Sequence, residues 1–145
     1  ISGTGGGFEW YGRGPEENYC DRNAGARLGI YKSTAADSVS RYLVPQECGN
    51  RTGIRWLKVT DEAGHSIRFT AEGRPFEGSV LPYTAEELEH AAHIEELPQP
   101  RYTVVNILAA MRGVGGDDSW GAPVYPEYCV SGEKDITFSF VIGRE

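Results

Sequence analysis

Short stretches of alternating apolar and polar residues limit what this chain can fold into more than any other feature of its sequence. Such alternation predicts β-strands, because successive strand side chains face opposite sides of a sheet. It is clear in residues 66–71 and 136–142, which are predicted to be half-buried strands. Residues 102–109 are apolar on both faces and rich in β-branched side chains, as is typical of a strand covered on two sides. Further strands are predicted at 42–44, 54–60 and 76–81.

Turn signals separate these segments and favour an antiparallel arrangement. The 145 residues include 19 glycines and 8 prolines, which favour short strands and many turns over long helices. Turn sequences such as 61–64 and 72–75 recur at about the spacing of an antiparallel β-sandwich. The glycine run 3–7 is interpreted as a frayed entrance to the fold. Since no linker or internal repeat divides the chain, we predict one all-β domain over residues 1–145.

One short helix is predicted within this series of strands. Thr84 and Glu87 have the spacing of a capping box, which binds free N–H groups at the start of a helix. The helix is expected to continue to about His93 and to end before Pro98. His90 and His93 lie three residues apart on it, which raises the question of a metal site. Zinc needs three or four ligands, and the sequence has neither an H-E-x-x-H motif nor cysteines at ligand spacing, so an exposed helix face is the preferred interpretation.

The charge of the chain argues against a nucleic-acid partner. Its 14 Lys and Arg against 21 Asp and Glu give a net charge of -7, which repels a phosphate backbone. No run approaches the roughly 18 apolar residues of a membrane-spanning helix, so no membrane partner is expected. The chain begins at Ile1 without methionine or a signal-peptide pattern and is expected to be part of a longer polypeptide. The compartment is left unassigned, with the cytoplasm favoured over the periplasm.

Three cysteines, Cys20, Cys48 and Cys129, have no C-x-x-C spacing. An odd number of cysteines cannot all pair within one chain. We therefore expect free thiols that are mostly buried.

Four adjacent pairs of acidic residues, at 16–17, 86–87, 95–96 and 117–118, are the main candidates for hydrolytic chemistry. Neighbours in extended or helical backbone point apart, so none of them forms by sequence alone the facing pair, roughly 5 to 10 Å apart, of glycoside hydrolysis. His65 has no evident partner for nucleophilic catalysis, and there is no G-x-S-x-G or P-loop motif. Solvated surface is the preferred interpretation of most of these acidic pairs, and no catalytic or metal-binding residue is assigned.

Two stretches are not explained as strand or surface. Residues 10–19 crowd aromatic, arginine and hydrogen-bonding side chains around a proline turn, and residues 113–121 place two aspartates, a serine and Trp120 on a glycine backbone. Tandem glycines allow positive φ, and Asp or Ser side chains can bind N–H groups two residues on, so this run can be a rigid turn. Trp120 then either fills a core or presents its face to a ligand. The residues alone favour core packing.

The same stretches carry a resemblance to a known family. Several blocks resemble, in order, the C-terminal region of bacterial β-galactosidases of glycoside hydrolase family 2. The likeness covers nearly the whole chain from about Phe8, and several multi-residue blocks in one order are more specific than any single motif. The blocks are 10–19 with Asp21 and Arg22, 42–47 with 49–51, 82–88, 96–98, Asn106 and 113–120.

The resemblance implies a fold for this chain and places catalysis in another domain. It implies that this chain is the last part of an antiparallel β supersandwich, related to galactose mutarotase, in a large multidomain enzyme. In the family both catalytic glutamates of the retaining mechanism lie in a central barrel domain, so the isolated chain is expected to be inactive. No cofactor is expected in this chain, whereas Mg²⁺ and Na⁺ are expected in other domains. The implied partners are the remaining domains of the parent, a galactoside substrate and further copies in a homo-oligomer.

The resemblance also implies roles for the glycine-rich loop. In the family the tryptophan that closes this block reaches the mouth of the active site, and it matches Trp120. Trp120 is therefore the expected substrate-binding residue, with its indole face stacked on the apolar face of a sugar ring. Asp117, Asp118 and Ser119 are interpreted as organisers of the loop rather than as acids.

Two other classes of function stay open. A stand-alone carbohydrate-binding module would bind galactosides by itself, and a purely structural or oligomerisation domain would bury Trp120. The chain also departs from the family at Cys20, where proline is common, and at Cys48, where asparagine is usual. Neither position carries known chemistry in the family.

Overall fold

Strands dominate the computed structural model, which describes residues 6–145. The one α-helix in this part of the chain is α1 (Ala85–His90). Short 3₁₀ helices cover Cys20–Gly25, Ala36–Ser38, Ile94–Glu96 and Pro126–Tyr128. The strands are β1 (Gly7–Gly14), β2 (Arg27–Thr34), β3 (Arg51–Ile54), β4 (Trp56–Thr60), β5 (Ser66–Glu72), β6 (Phe76–Leu81), β7 (Val104–Leu108) and β8 (Ser139–Arg144).

These strands form two antiparallel sheets that pack on each other. Five strands pair in the order β2-β1-β4-β5-β8, and three pair in the order β3-β6-β7. The prediction of an all-β, antiparallel sandwich with one short helix is confirmed. The assignment of residues 1–145 to one domain stays a prediction.

The core lies between the two sheets and is built around the inward side of β1. Phe8 and Trp10 are buried there, and Leu57 and Val59 continue the same face on β4. The three-stranded sheet covers them with apolar side chains, among them Ile54, Phe76 and Val80. Alternation in the sequence thus places one apolar face of the large sheet against the small sheet.

The predictions at 66–71 and 76–81 are confirmed by β5 and β6. Three of the other four predicted strands, at 54–60, 102–109 and 136–142, are right in part. The stretch 54–60 is divided at Arg55, because β3 ends just before this residue and β4 begins just after it. The N–H of Arg55 donates to Tyr11 O, and its carbonyl accepts from Ala71 N. Only the second half of 136–142 is a strand, because β8 begins at Ser139.

Residues 102–109 contain β7, but this strand is not covered on both sides. All five of its residues are half-buried, and it lies at the end of the three-stranded sheet among the described residues. The apolar sequence therefore overstated its burial.

Two strands, β1 and β2, were not predicted from the sequence, and their register explains why. Two glycines of β1 interrupt its apolar alternation, since Trp10 pairs with Tyr31 and Gly12 with Gly29. The rings of Trp10 and Tyr31 fill the space beside Gly14, where a Cβ would lie 2.9 Å and 2.8 Å from them. The glycines are thus covered by aromatic rings from neighbouring positions, which a period-2 pattern does not reveal.

The predicted strand at 42–44 is wrong. No strand pairing is found there; instead Tyr42 N donates to Ser40 O in a tight turn. Leu43 is 94% exposed and Val44 59% exposed. The glycine run 3–7 lies outside the described residues except at Gly6 and Gly7, and Gly7 already belongs to β1 rather than to a frayed entrance.

The capping box of α1 is confirmed, although the helix is shorter than predicted. Glu87 N donates to Thr84 Oγ1 at 3.1 Å, and Thr84 N donates to Glu87 Oε2 at 2.8 Å. The helix ends at His90, so His93 is not on the same helical face; its Nδ1 lies 3.0 Å from Glu96 Oε1. In residues 6–145, no helix has the length and apolar character that a membrane crossing requires.

All three thiols are free, as predicted, but their burial differs. Cys48 is buried, Cys20 is half-buried and Cys129 is exposed. Cys129 follows the surface 3₁₀ helix Pro126–Tyr128, none of whose residues is buried. The prediction of mostly buried thiols is therefore right only for Cys48.

A close approach between β6 and β7 gives a test of this packing. A Cβ on Gly78 would clash with the backbone oxygen of Asn106, so Gly78→Ala must push the two strands apart. We expect it to lower the free energy of unfolding by about 1–3 kcal/mol, measured by urea unfolding. The matched control is Gly143→Ala in β8, where a Cβ meets no atom within 4 Å. Equal effects of the two substitutions would contradict the packing described.

Candidate functional site

Trp120 is the most exposed tryptophan of the chain and lies on the loop formed by residues 113–125. Its side chain is 92% exposed, whereas Trp10 is 1% exposed in the core. Within this chain the core-packing interpretation of Trp120 is therefore wrong. An indole that no neighbour covers presents a flat apolar face with a polar N–H edge.

Asp118 closes the turn that carries this indole. Its Oδ1 accepts the N–H of Trp120 at 2.8 Å and the N–H of Ala122 at 3.4 Å. Gly121 follows with φ of +107°, a conformation that L side chains rarely adopt. The aspartate is therefore a backbone cap in this loop.

Asp117 and Ser119 behave differently from each other. Asp117 Oδ1 accepts a short hydrogen bond from the hydroxyl of Tyr125, which ties the two arms of the loop together. Ser119 is exposed, and its side chain makes no hydrogen bond within residues 6–145. Both aspartates thus bind groups within the loop. The organising role of Asp117, Asp118 and Ser119 stays a prediction.

The two arms of the loop also approach each other at Gly116. A Cβ there would lie 2.7 Å from Pro123 O and 2.8 Å from Ala122 O, so only glycine fits between the arms without displacement. Gly116 thus allows the two backbone arms of the loop to pack closely.

The base of the loop is held by contacts that sequence reasoning did not find. Gly113 N donates to Tyr128 O at 2.8 Å. The N–H groups of Val114 and Gly115 both donate to Asp21 Oδ2, at 2.8 Å and 2.7 Å. Asp21 lies more than ninety residues earlier in the chain, and no local pattern links it to this loop. In the sequence, Asp21 stands out only as part of a block that resembles the family.

Asp21 lies just after a turn, residues 15–19, in which Glu17 and Asn18 are bound by other segments of the fold. Glu17 accepts hydrogen bonds from Tyr42 Oη at 2.6 Å, Gly49 N at 2.9 Å and Tyr19 Oη at 3.1 Å. Burial alone raises the pKa of Glu17, but the hydrogen bonds from Tyr42, Gly49, Ser40 and Tyr19 together outweigh it and leave the pKa below its usual value. Burial and the hydrogen bond to Glu17 raise the pKa of Tyr42 to about 12.

Asn18, the next residue of this turn, is buried and connects three segments. Its Nδ2 donates to Asn23 Oδ1 at 2.7 Å and to the hydroxyl of Thr52 on β3. Its backbone N–H donates to Asn50 O at 2.7 Å. The turn, β3 and the 3₁₀ helix Cys20–Gly25 are therefore held as one polar unit.

Glu77 on β6 extends this unit towards the base of the loop. Its Oε2 accepts from Asn50 Nδ2 at 2.9 Å. Burial raises the pKa of Glu77, and the hydrogen bonds from Asn50 and the backbone of Met111 offset only part of this effect. Glu77, Met111, Cys20 and Tyr128 help line a cavity of about 430 Å³ beside the loop base.

The remaining sequence candidates serve local structure. Glu87 caps α1, and Glu96 accepts from Ala92 N at 2.9 Å. His65 Nδ1 lies 3.1 Å from Asp61 Oδ2 across an exposed turn. Nowhere in residues 6–145 do three or more His, Cys, Asp or Glu side chains converge on a position that could hold a metal ion.

Comparisons with known proteins point to one family. The family described as "Beta galactosidase small chain" matches residues 4–142. A β-galactosidase of Halalkalibacterium halodurans is 52% identical over 137 residues, which cover 94% of this chain and 14% of that protein. A β-galactosidase of Streptococcus thermophilus is 42% identical over 135 residues, covering 93% of this chain and 13% of that protein.

A shorter relative is also similar. A protein of Latilactobacillus sakei named β-galactosidase small subunit is 44% identical over 136 residues, which cover 87% of this chain and 42% of that protein. The chain therefore spans less than half of this relative and about one seventh of the first one.

The opposite pKa shifts of Glu17 and Glu77 give a paired test of the polar unit that supports the loop. Because the pKa of Glu17 is lower in the folded chain than its usual 4.5, its ionised form stabilises the fold above that pH. This contribution is lost as the pH falls through the folded-state pKa. We therefore expect Glu17→Gln to lower the free energy of unfolding at neutral pH, with a difference from the unmodified protein that shrinks in acid. Urea unfolding at a series of pH values measures it.

Glu77→Gln is the control, and its effect on stability is expected to change with pH in the opposite direction. The pKa of Glu77 is raised in the folded chain, so protonation stabilises the fold as the pH falls. Relative to the Glu77→Gln variant, the unmodified protein is expected to gain stability in acid. The same pH slope for both variants would contradict the described environments.

Proposed function

This chain belongs to the β-galactosidase small chain family, and from that premise we propose that it is the C-terminal part of a glycoside hydrolase family 2 β-galactosidase. The complete enzyme hydrolyses terminal β-galactosides such as lactose. Within it this chain supplies sandwich scaffold, a surface for other domains and one aromatic residue of the substrate site. The observation that carries the last assignment is the exposure of Trp120, at 92%, on a loop that several hydrogen bonds hold in place.

Trp120 contributes binding rather than chemistry in this proposal. The C–H face of a pyranose ring is apolar and packs on an indole face, while the hydroxyls around the ring edge keep their hydrogen bonds to water or protein. A ring held in this way is oriented at the entrance of the site or in the leaving-group position. Positioning of this kind lowers the barrier of a reaction that other residues catalyse.

The catalytic groups are assigned to parts of the enzyme outside this chain. Two glutamates of a retaining mechanism, one acting as acid and base and one as nucleophile, belong to the barrel domain in this proposal. We also assign Mg²⁺ and Na⁺ to other domains, as the resemblance to the family implies. The short L. sakei relative, named a small subunit, supports a partnership with a further chain or domain.

The first test concerns the isolated chain. We expect the purified 145-residue protein to show no hydrolysis of lactose or of a chromogenic galactoside. Isothermal titration with galactose and lactose is expected to give very weak binding, because the other half of the pocket is absent. Turnover by the isolated chain would contradict the assignment of catalysis to the barrel. Tight galactoside binding would instead favour a stand-alone carbohydrate-binding module.

The second test concerns Trp120 in the complete enzyme. Loss of one stacking surface is expected to raise the KM of Trp120→Ala for lactose about tenfold and to reduce transfer to acceptor sugars. Trp120→Tyr keeps an aromatic face and is expected to lie between this variant and the unmodified enzyme. Steady-state kinetics and analysis of the transfer products measure both effects.

Trp56→Ala is the control for this test, because Trp56 packs under Arg68, with the guanidinium 4.4 Å from its ring centre, on a strand away from the loop. It is expected to leave the KM unchanged. Unchanged kinetics of Trp120→Ala would favour a purely structural role for this chain.

A further inference from the structure

The carboxylate of Asp21 joins the base of the glycine-rich loop to the 3₁₀ helix Cys20–Gly25. One oxygen, Oδ2, accepts the consecutive N–H groups of Val114 and Gly115 at 2.8 Å and 2.7 Å. Hydrogen bonds to an ionised acceptor are shorter and stronger than those between neutral groups. A carboxylate that accepts two adjacent backbone N–H groups also fixes the direction of the peptide planes between them.

The loop is shaped to receive this carboxylate. Gly113 is buried, and a Cβ on it would lie 2.5 Å from Asp21 Oδ2 and 2.8 Å from Tyr128 Cβ. A Cβ on Gly115 would lie 3.3 Å from the same oxygen. A side chain at position 113 would therefore displace the carboxylate, and the glycines at 113 and 115 allow its approach.

Asp21 lies on a segment that hydrogen bonds join to the rest of the fold. It lies in the 3₁₀ helix Cys20–Gly25, where Arg22 N donates to Tyr19 O at 2.9 Å and Tyr19 is buried. The thiol of Cys20 lies 3.6 Å from Met111 O, just before the loop. Two adjacent residues of this 3₁₀ helix, Cys20 and Asp21, thus contact the segment that begins the loop.

We propose that Asp21 is a positioning residue for substrate binding, because it fixes the base of the loop whose far arm carries Trp120. This inference rests on the proposed function of Trp120 as a sugar platform. Asp21 acts only through the loop: it touches neither the indole nor any group that reacts. A glycine backbone has more conformational freedom than any other. Hydrogen bonds at the base of the loop therefore restrict the orientations that the indole can adopt.

Contacts that do not involve Asp21 keep the loop from unfolding when the carboxylate is removed. Gly113 N still donates to Tyr128 O, and Asp118 still caps the turn at Trp120. Asp21→Ala is therefore expected to loosen the base of the loop and leave the sandwich folded. Asp21→Asn keeps one acceptor oxygen without the charge. It is therefore expected to preserve part of the anchoring of the loop.

The experiment uses the complete β-galactosidase and two readouts. Hydrogen exchange followed by mass spectrometry is expected to show at least tenfold faster exchange in the peptide that contains Val114 and Gly115 in Asp21→Ala, with a smaller change in Asp21→Asn. Kinetics are expected to show a rise in the KM for lactose of the same order as in Trp120→Ala, with kcat less affected. In the Asp21→Ala, Trp120→Ala double variant the KM is expected to equal that of Trp120→Ala alone.

Asp37→Ala is the matched control. Asp37 also lies in a short 3₁₀ helix and accepts a hydrogen bond, from the hydroxyl of Thr34 at 2.7 Å, but it has no contact with the loop. It is expected to change neither exchange in the loop nor the KM for lactose.

The outcomes separate the two proposals. Unchanged exchange at Val114 and Gly115 in Asp21→Ala overturns the anchoring role. Faster exchange with an unchanged KM, while Trp120→Ala raises the KM, overturns the positioning role. If the double variant has a KM that is higher than that of Trp120→Ala by the full effect of Asp21→Ala, the positioning role is also overturned, because Asp21 then acts by a route other than Trp120. If Trp120→Ala itself leaves the KM unchanged, the proposed function of Trp120 fails and the positioning role fails with it, while the exchange data still decide whether Asp21 anchors the loop.

Discussion

The packing of Trp10 is the interaction on which the rest of this structure depends. Its ring lies on β1, 5.2 Å from Phe8 and 5.4 Å from Tyr31, and its Nε1 donates to Arg13 O at 3.0 Å. The guanidinium of Arg51 covers it from β3 at 4.9 Å. Burial lowers the pKa of Arg51, and the cation remains buried because Nη1 donates to the backbone carbonyls of Gly49 and Asn50. One aromatic ring thus fastens both sheets and the segment that leads into β3.

From this core a chain of polar contacts runs outward to the candidate site. The segment beside Arg51 supplies Asn50 and Gly49, which hold Asn18 and Glu17 in the turn after β1. That turn leads directly into the 3₁₀ helix that carries Asp21. Each contact uses a buried or half-buried polar group that would be costly to leave unpaired, so the position of the outer loop is coupled to the packing of the core. An exposed loop can therefore be well defined even though its own sequence is rich in glycine.

How far the sequence predicted this structure depended on whether the signal was local. β5, β6 and the capping box of α1 were found because periodicity and cap residues lie within a few positions of each other. β1 and β2 were missed because aromatic rings from other positions occupy the space beside Gly12, Gly14 and Gly29, so these inward positions carry no apolar side chain of their own. The stretch 42–44 was predicted as a strand from its apolar composition, but Leu43 has no neighbouring strand to pair with and is exposed.

The sequence by itself determined the β-rich class, the short helix and its cap, and, through its ordered blocks, the family to which the chain belongs. It also identified the loop of Asp117, Asp118 and Trp120 as unusual. Only the tertiary structure decided that the indole faces solvent within this chain and that Asp21 holds the base of its loop. The reason is physical: the direction of a side chain on a glycine backbone is set by contacts with distant residues, here across more than ninety positions, and such contacts leave no periodic trace in one sequence.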